Sequence, residues 1–307
     1  MYNQSFPSYC YAHLPRAGLG NMLFVWAHAA IFANLNGLPL VTSPWNQFKI
    51  GVYLRRERRK REYADYFSGL EEWSSLKSTW MLRNYTPVVE PPITSFKFVQ
   101  DAQKSLYVFE KIPHWADFFR DIKPHRQFIT NELERMLAPH HAEVLKCARI
   151  PVIGVHVRCG DFRPLGSGED FAKVGGVRTP LTYFENIIVG IRHLRGLPLP
   201  VTIFSDGTDE ELSVLLKLPN VSRAENNADI VDLLLLSKSQ IIVTSAGSTF
   251  SYWSGFLSHA PVIIHPDHIH SPLRPQEVNE QYFEGGVLGD PQTWPLLLQQ
   301  NINKMFV

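Results

Sequence analysis

The stretch that decides the fold is Pro151 to Arg163, PVIGVHVRCGDFR. Its apolar, largely β-branched residues run without a polar interruption up to His156, which predicts a strand buried on both faces, as in a parallel sheet. Arg158 and Asp161 lie where this strand gives way to a loop containing Gly160. Because ligands bind beyond the carboxyl ends of strands in open α/β sheets, the stretch predicts a binding site here.

Arg158 and Asp161 allow two interpretations. An arginine at a strand end offers a fixed cationic fork for phosphate, and an adjacent carboxylate can orient that fork or accept a proton. Alternatively, the two side chains form only a salt bridge, because strand ends often carry charges. The stretch by itself leaves both interpretations open.

Length and composition bound the remaining choices. The chain has 307 residues and 45% hydrophobic residues, which suits two moderate α/β domains with a core each. A formal net charge of +1 argues against a bulk polyanion binder, and we expect no nucleic-acid partner. The three cysteines, Cys10, Cys147 and Cys159, have neither disulfide nor zinc spacing and fit a reducing compartment.

The sequence shows no targeting or membrane signal. No basic segment followed by an apolar one opens the chain, and the richest apolar run, Leu233 to Leu236, is far too short to span a bilayer. We therefore expect a bacterial-type cytoplasmic protein without stable membrane insertion. The oligomeric state is left open.

The chain begins with a predicted βαβ order. Gly18 and Gly20 let the loop approach a ligand or another backbone closely, and Asn21 is placed to cap the helix. A tight turn needs the same glycines, so this motif does not distinguish a ligand-binding loop from an ordinary turn. The predicted limits are Ser8 to His13 for the first strand, Arg16 to Asn21 for the loop, Met22 to Asn34 for the helix and Leu38 to Thr42 for the second strand.

Residues 45 to 125 are rich in aromatic side chains and show no repeat. The basic run Arg55 to Arg61, RRERRKR, is typical of a solvated face, with a nucleic-acid patch or a contact to an acidic ligand or membrane surface as alternatives. From Phe118 to Leu145 we expect two helical segments broken near Pro124, and a further break at Pro139 before the central strand.

Two more predicted strands end in polar groups. Small hydroxyl residues at a helix start, with free backbone N–H groups, suit an anion such as phosphate, although a simple helix cap uses the same residues. The residues concerned are Ser205 and Asp206 after the strand Pro200 to Phe204, and Ser248, Thr249 and Phe250 after the strand Gln240 to Thr244. Further elements are predicted as a helix opening at Thr179 to Leu181, a helix at Asp229 to Leu236, a strand at Pro261 to His265 and a terminal helix at Thr293 to Phe306.

Three strand ends therefore place an arginine, carboxylates and a hydroxyl-rich helix start in one domain, which outlines a nucleotide diphosphate site. The sequence lacks a P-loop and a full dinucleotide-binding glycine motif. The segment His265 to His270 contains three histidines, but Pro266 disturbs their spacing and argues against a metal cluster. A nucleotide-sugar site that uses no metal fits best.

Five segments in a fixed order carry a family resemblance. They are Gly18 to Phe24, His156 to Asp161, Thr179 to Tyr183, Phe204 to Asp206 and Ser248 to Trp253. Together they resemble the α-1,2-fucosyltransferase family of inverting, GDP-fucose-dependent glycosyltransferases. The resemblance implies a GT-B architecture, with two Rossmann-like α/β domains facing across a cleft: an acceptor-side domain, residues 1–148, and a GDP-fucose-binding domain, residues 149–307, whose terminal helix is free to pack back on the first.

The resemblance also implies a reaction and roles. L-Fucose would move from GDP-fucose to a galactose hydroxyl of an oligosaccharide in α-1,2 linkage, without a cofactor or metal. Arg158 would bind the β-phosphate, and Asp161 is the nearest carboxylate by sequence to accept the acceptor proton, unless it only orients Arg158. The implied donor-binding residues are Gly18, Gly20, Asn21, His156, Ser205, Asp206, Ser248, Thr249 and Phe250.

The chain departs from the family pattern at three positions. The family commonly has arginine where Cys159 stands, glutamine where Met22 stands and an acidic residue where Gly207 stands. Another GDP-sugar transferase, such as a protein O- or α-1,6-fucosyltransferase, shares similar donor motifs and is the alternative within enzymes. A catalytically idle glycan- or nucleotide-binding protein is the alternative outside them, and the lost second arginine favours it.

Overall fold

The computed structural model describes residues 8–47, 54, 62–94, 104–268 and 271–306. The chain divides into two compact units: the first contains the described residues from 8 to 47 and from 62 to 139, and the second contains residue 54 and those from 140 onward. The domain limits 1–148 and 149–307 stay a prediction. The basic run Arg55 to Arg61 lies outside the described residues.

The first unit is built on a parallel sheet with the strand order β3-β2-β1-β5-β4. Its strands are β1 (Tyr9–Ala12), β2 (Leu40–Thr42), β3 (Glu71–Glu72), β4 (Thr86–Val89) and β5 (Ser105–Phe109). Its helices are α1 (Leu19–Asn36), α2 (Ser75–Asn84) and α3 (Arg126–Met136), with 3₁₀ turns at Trp115–Asp117 and Lys123–His125. The predicted βαβ order is confirmed, because β1 and β2 pair in parallel with Tyr11 opposite Val41.

Helix α1 begins earlier than predicted. Gly18 is its N-cap residue in extended conformation, so Gly20 and Asn21 lie inside the first turn, and the prediction that Asn21 caps the helix is wrong. The hydroxyl of Tyr63 accepts a hydrogen bond from the Leu19 amide at 2.9 Å, which supplies the partner that a glycine cap lacks. The predicted stop is confirmed: Gly37 takes the left-handed conformation, with φ at 63°, that glycine adopts without steric cost.

The second unit is built on a parallel sheet with the order β11-β10-β9-β6-β7-β8. Its strands are β6 (Ile153–Val157), β7 (Val201–Ser205), β8 (Val221–Arg223), β9 (Ile241–Val243), β10 (Val262–Ile263) and β11 (Glu284–Gly285). The helices are α4 (Pro139–Cys147), α5 (Leu181–Arg195), α6 (Ser213–Leu216), α7 (Asp229–Ser237), α8 (Thr249–Leu257), α9 (Gln276–Asn279) and α10 (Leu296–Asn303), with 3₁₀ turns at Phe171–Lys173, Pro266–His268 and Pro291–Thr293.

Strand β6 is buried along its whole length between β7 and β9, as the apolar run predicted. Helices α5 and α10 pack against each other, and α7 packs against α8. None of the helices in the described ranges is long and apolar enough to cross a bilayer.

The predicted break at Pro139 is confirmed, because α3 ends at Met136 and α4 begins at Pro139. Proline fits the first turn of α4, where its missing N–H is not needed. One predicted boundary is wrong. The terminal helix is shorter than Thr293 to Phe306: Thr293 ends a 3₁₀ turn, and the helix proper starts after Pro295.

Candidate functional site

The candidate site lies in the second unit, at the carboxyl ends of three adjacent strands. Val157 of β6 pairs with Ser205 of β7, and Val155 pairs with Val243 of β9. The residues that follow these strands therefore leave the same edge of the sheet side by side. The three polar strand ends that the sequence indicated are brought together.

Arg158 is held by two carboxylates. Its Nη1 donates to Oδ2 of Asp206 at 2.5 Å, and its Nη2 donates to Oδ1 of Asp161 at 2.5 Å. The guanidinium carbon also lies 5.7 Å from the ring centroid of Phe162, a cation–π arrangement. The salt bridge with Asp161 therefore exists, but Arg158 is at the same time oriented from the neighbouring strand.

Backbone contacts fix the start of this loop. The Arg158 amide donates to Oγ of Ser245 at 2.8 Å, and that hydroxyl donates to the His156 carbonyl at 2.8 Å. Oδ1 of Asp206 accepts from the Cys159 amide at 2.7 Å. β7 and the segment after β9 thus both hold the backbone from which Arg158 projects.

The Ser205 hydroxyl forms hydrogen bonds with two backbone groups. Its hydroxyl donates to the Val157 carbonyl at 2.6 Å and accepts from the Gly207 amide at 3.0 Å. The side chain is buried. A direct contact of this hydroxyl with the donor stays a prediction.

Helix α8 begins at the site. Ser248 is its N-cap residue, and within the described part of the chain its side chain makes no capping hydrogen bond, so the simple-cap interpretation of this hydroxyl is wrong. The Gly247 amide instead donates to the hydroxyl of Tyr252 at 2.7 Å. Thr249 and Phe250 form the first turn, whose positive dipole end suits an anion.

His156 and Phe250 form a stacked pair with ring centroids 4.7 Å apart and ring planes at 23°. His156 is buried near the end of β6, whereas Phe250 is partly exposed in α8. Phe250 is the partly exposed ring of this pair next to the strand ends, with the buried His156 stacked on it. Such a ring suits a planar ligand group better than a flexible one.

The segment from Thr179 to Tyr183 lies on the other side of the same edge. Oγ1 of Thr179 accepts from the Ala246 amide at 3.0 Å, so this segment fixes the loop that leads into α8. Helix α5 opens within Thr179 to Leu181, as the sequence indicated, and Pro180 is its N-cap residue rather than part of the first turn. Tyr183 is buried, which raises the pKa of its hydroxyl, and it borders a cavity of about 560 Å³ that reaches Trp294.

Two arginines of the site were missed by the sequence reasoning. Nη2 of Arg223, at the end of β8, donates to the carbonyls of Ser205 and Gly207 at 2.8 and 2.6 Å. Nη1 of Arg178 donates to Oε1 of Glu211 at 2.6 Å. A signal existed for Arg178, which directly precedes the Thr179 segment, whereas the short strand Val221-Ser222-Arg223 has one apolar residue and gave no signal for Arg223.

The glycine loop of the N terminus belongs to the first unit. Gly18, Gly20 and Asn21 form the cap and first turn of α1, and Gly20 is buried there. Their contact with a donor stays a prediction.

His265 and His268, the described histidines of the segment after β10, show no metal arrangement. Nδ1 of His265 accepts from the Asp267 amide at 3.3 Å, and Nε2 of His268 lies 3.1 Å from the Phe171 carbonyl. Among the residues that the structure describes, no group of three or more His, Cys, Asp or Glu side chains is placed to hold a metal ion. Residues 269 and 270 lie outside that description.

Solved structures share this fold. Against the fucosyltransferase NodZ from Bradyrhizobium the TM-score is 0.52 at 13% identity, covering 85% of this chain and 98% of that chain. The chain has the parallel α/β, GT-B fold of these structures. Against POFUT1 in complex with GDP-fucose the TM-score is 0.51 at 13% identity, covering 86% and 99%. NodZ α-1,6-fucosyltransferase co-crystallized with GDP gives 0.50 at 13% identity, covering 83% and 93%.

No family model matches the sequence, and no curated protein matches it. At 13% identity the likeness to these structures concerns the fold alone. The activity must therefore be argued from the site.

Proposed function

We propose that this protein transfers L-fucose from GDP-fucose to a hydroxyl of an acceptor glycan. The observation that carries the proposal is the position of Arg158 at the end of the central strand, with the uncapped start of α8 and the His156–Phe250 pair beside it. This combination offers a cation and helix N–H groups to a diphosphate and an aromatic surface to a base. The motif order and the GT-B fold agree with it.

The chemistry follows from these groups. The acceptor oxygen forms a bond to the anomeric carbon of fucose as the bond from that carbon to the diphosphate oxygen breaks, and the electron pair leaves with GDP. Negative charge grows on the diphosphate, so Arg158 and the first turn of α8 stabilise the transition state more than the ground state. Attack from the face opposite the leaving group inverts the anomeric centre.

The proton of the acceptor hydroxyl needs a base. Asp161 is the carboxylate assigned to it, because it lies beside Arg158 and is partly exposed to solvent. His156 and Phe250 would hold the guanine, and Ser248 and Thr249 the phosphates. No metal is assigned to the reaction, since the leaving group is matched by an arginine and a helix start.

The acceptor has two candidates, each supported by a different observation. The order of the five sequence motifs favours an α-1,2 linkage to galactose. The fold comparison includes an α-1,6-fucosyltransferase and POFUT1, which favours the alternative of an α-1,6 linkage or a protein acceptor. The alternative outside enzymes is an idle binding protein. It is supported by the two carboxylates that already bind Arg158.

One experiment separates them. The purified protein is incubated with GDP-fucose and with a galactoside, another oligosaccharide that lacks galactose, or a folded protein acceptor. GDP release is measured, and the linkage of each product is analysed. Acceptor-dependent GDP release supports the proposal, and the product linkage chooses the acceptor. GDP binding without turnover on any acceptor supports the idle protein, and absence of GDP binding contradicts the proposal.

A further inference from the structure

The Arg158 cluster, defined as Arg158, Asp161 and Asp206, carries more negative than positive charge. One guanidinium meets two carboxylates at 2.5 Å each, so the ionised cluster has a net charge of −1. A diphosphate that approaches Arg158 is repelled by both carboxylates. A diphosphate oxygen that binds Nη1 or Nη2 along the direction of these hydrogen bonds therefore has to replace a carboxylate there.

Asp206 is the carboxylate that stays bound to Arg158. Its side chain is only 11% exposed, and its two oxygens accept from Nη1 of Arg158 and from the Cys159 amide. Moving it would leave a buried carboxylate and a backbone N–H without these partners, which costs much more than an exposed ion pair returns.

Asp161 is the carboxylate that can leave. It lies on the loop after β6, three residues from Arg158, and its side chain is 38% exposed. A carboxylate at this exposure exchanges an arginine for water at small cost, because exposed ion pairs contribute only about 0–1 kcal/mol.

The surroundings of Arg158 direct the entering anion to the Nη2 edge of the guanidinium, where Asp161 is bound. Phe162 lies over the guanidinium, and Asp206 holds the Nη1 edge. The Nη2 edge faces the more exposed partner, Asp161. Exchange at Nη2 keeps the orientation of Arg158 while one anion replaces another.

We propose that Asp161 is an exchangeable partner of Arg158, which a diphosphate displaces from Nη2, and that Asp206 is a positioning residue that stays bound. The inference rests on the proposed function, because it takes the diphosphate of GDP-fucose as the entering anion. It has a consequence for catalysis: the Asp161 carboxylate is released into the site only after the donor binds. The donor then binds before the acceptor reacts.

The test measures the affinity for GDP and for inorganic pyrophosphate by calorimetry. Asp161→Asn should bind both about fivefold more tightly than the wild type, the factor that corresponds to an ion pair of about 1 kcal/mol that no longer has to be broken. Asp209→Asn is the matched control: it removes the same charge from an ion pair with Arg223, at a side chain that is 71% exposed, and should change affinity about twofold or less.

Asp206→Asn should weaken the binding of GDP, whereas Asp161→Asn should strengthen it. Removal of a negative charge alone would strengthen anion binding, whereas loss of the group that orients Arg158 should weaken GDP binding about tenfold or more. In an Arg158→Ala background the same substitution should cause no further loss, because Asp206 acts through Arg158. A purely structural role would weaken binding in both backgrounds.

The outcomes separate this inference from the proposed function. If the wild type binds GDP but Asp161→Asn binds it equally or less tightly, the exchange is wrong and the proposed function stands. If Asp206→Asn does not fold, Asp161→Asn still decides the exchange. If the wild type binds neither GDP nor pyrophosphate, both are wrong.

Discussion

A Cβ atom added at Gly207 would lie 2.7 Å from Sγ of Cys159 and 3.1 Å from its Cβ. Both are positions at which the chain departs from the motifs it resembles, and the structure places them in direct contact. Cys159 is buried among the core residues of the second unit, and burial raises the pKa of its thiol. The two departures are therefore one change, in which a small apolar contact stands where the family has charged side chains.

Gly207→Ala should destabilise the protein by about 1–3 kcal/mol, the usual cost of forcing an extra carbon into a packed site. Combined with Cys159→Ala, which removes the sulfur at 2.7 Å, the same substitution should cost less than it does alone. Urea denaturation of the single and double variants measures both values.

Gly175→Ala is the control for this prediction, because nothing lies within 4 Å of a Cβ atom there. It should change the free energy of unfolding by no more than about 0.5 kcal/mol. Equal effects of Gly207→Ala in the wild type and in the Cys159→Ala background would show that the two residues do not constrain each other.

Much of the second unit was predictable, because the signals lie in short stretches of sequence. The apolar run before His156 could only be a buried strand, and polar groups after parallel strands must share an edge, so Arg158, Asp206 and Ser248 were found together. The donor contact of Asp206 stays a prediction, and the contacts of this carboxylate with Arg158 and the Cys159 amide had no signal in the sequence. A carboxylate chooses between two neighbouring groups according to the tertiary geometry. The spacing of residues in the sequence does not contain that information.

The first unit was less predictable for the same reason. The start of α1 depends on Tyr63, 44 positions along the chain from the Leu19 amide that it binds, so no local signal moved the boundary to Gly18. Arg274 is a comparable case in the second unit: it is buried, and no motif distinguishes it.

Arg274 provides a prediction about stability alone. It donates to Oε2 of Glu284 at 3.0 Å and to the Ala260 carbonyl at 2.6 Å. Arg274→Met should destabilise the protein by about 3–5 kcal/mol, because Glu284 is left as a buried unpaired charge. Arg135→Met, which removes an exposed pair with Glu132, should cost about 1 kcal/mol or less.

Thermal and urea unfolding compare these variants. Adding Glu284→Gln to Arg274→Met should recover part of the loss, since the unpaired charge is removed. A loss for Arg274→Met as small as that for Arg135→Met would show that the interior tolerates the carboxylate.

His265 makes stability depend on pH. Burial lowers the pKa of this imidazole from its ordinary 6.5, and the charge of Asp267 opposes the shift only in part. The unfolded chain therefore binds the proton more readily than the folded one, so this contribution is complete above about pH 6.5 and is lost as the pH falls below it. One proton accounts for a slope of at most about 1.4 kcal/mol per pH unit.

His265→Gln should make the loss of stability between pH 7 and pH 5 shallower than in the wild type. Urea denaturation at several pH values measures the slope. His193→Gln, at an exposed position of α5, is the control and should leave the slope unchanged. The same slope for His265→Gln and the wild type would contradict the assignment.

Transfer of fucose should persist in EDTA. The proposed site meets the leaving diphosphate with Arg158 and the start of α8, so the reaction needs no Lewis acid. Turnover of GDP-fucose with an accepted glycan is measured before and after chelation. Loss of turnover that magnesium or manganese restores would contradict the prediction, whereas mild stimulation by these ions would not, because they can assist release of GDP.

Arg158 should be the residue without which transfer stops. Its backbone is fixed by Ser245 and its guanidinium by Asp206, so the charge is aimed before the donor arrives. Lysine is a point charge that cannot bind Asp206 and a phosphate oxygen in the same fork geometry. Arg158→Lys and Arg158→Ala should therefore both lose at least about a hundredfold in kcat.

The control for this prediction is Arg135→Lys, at an exposed ion pair of the first unit, which should keep kcat within about twofold of the wild type. Initial rates at saturating donor and acceptor, with circular dichroism to confirm folding, give the comparison. Near-normal kcat in a folded Arg158→Lys variant would mean that the leaving group is stabilised elsewhere. The ion pairs of Arg158 with Asp161 and Asp206 would then serve only to hold the ends of β6 and β7 together.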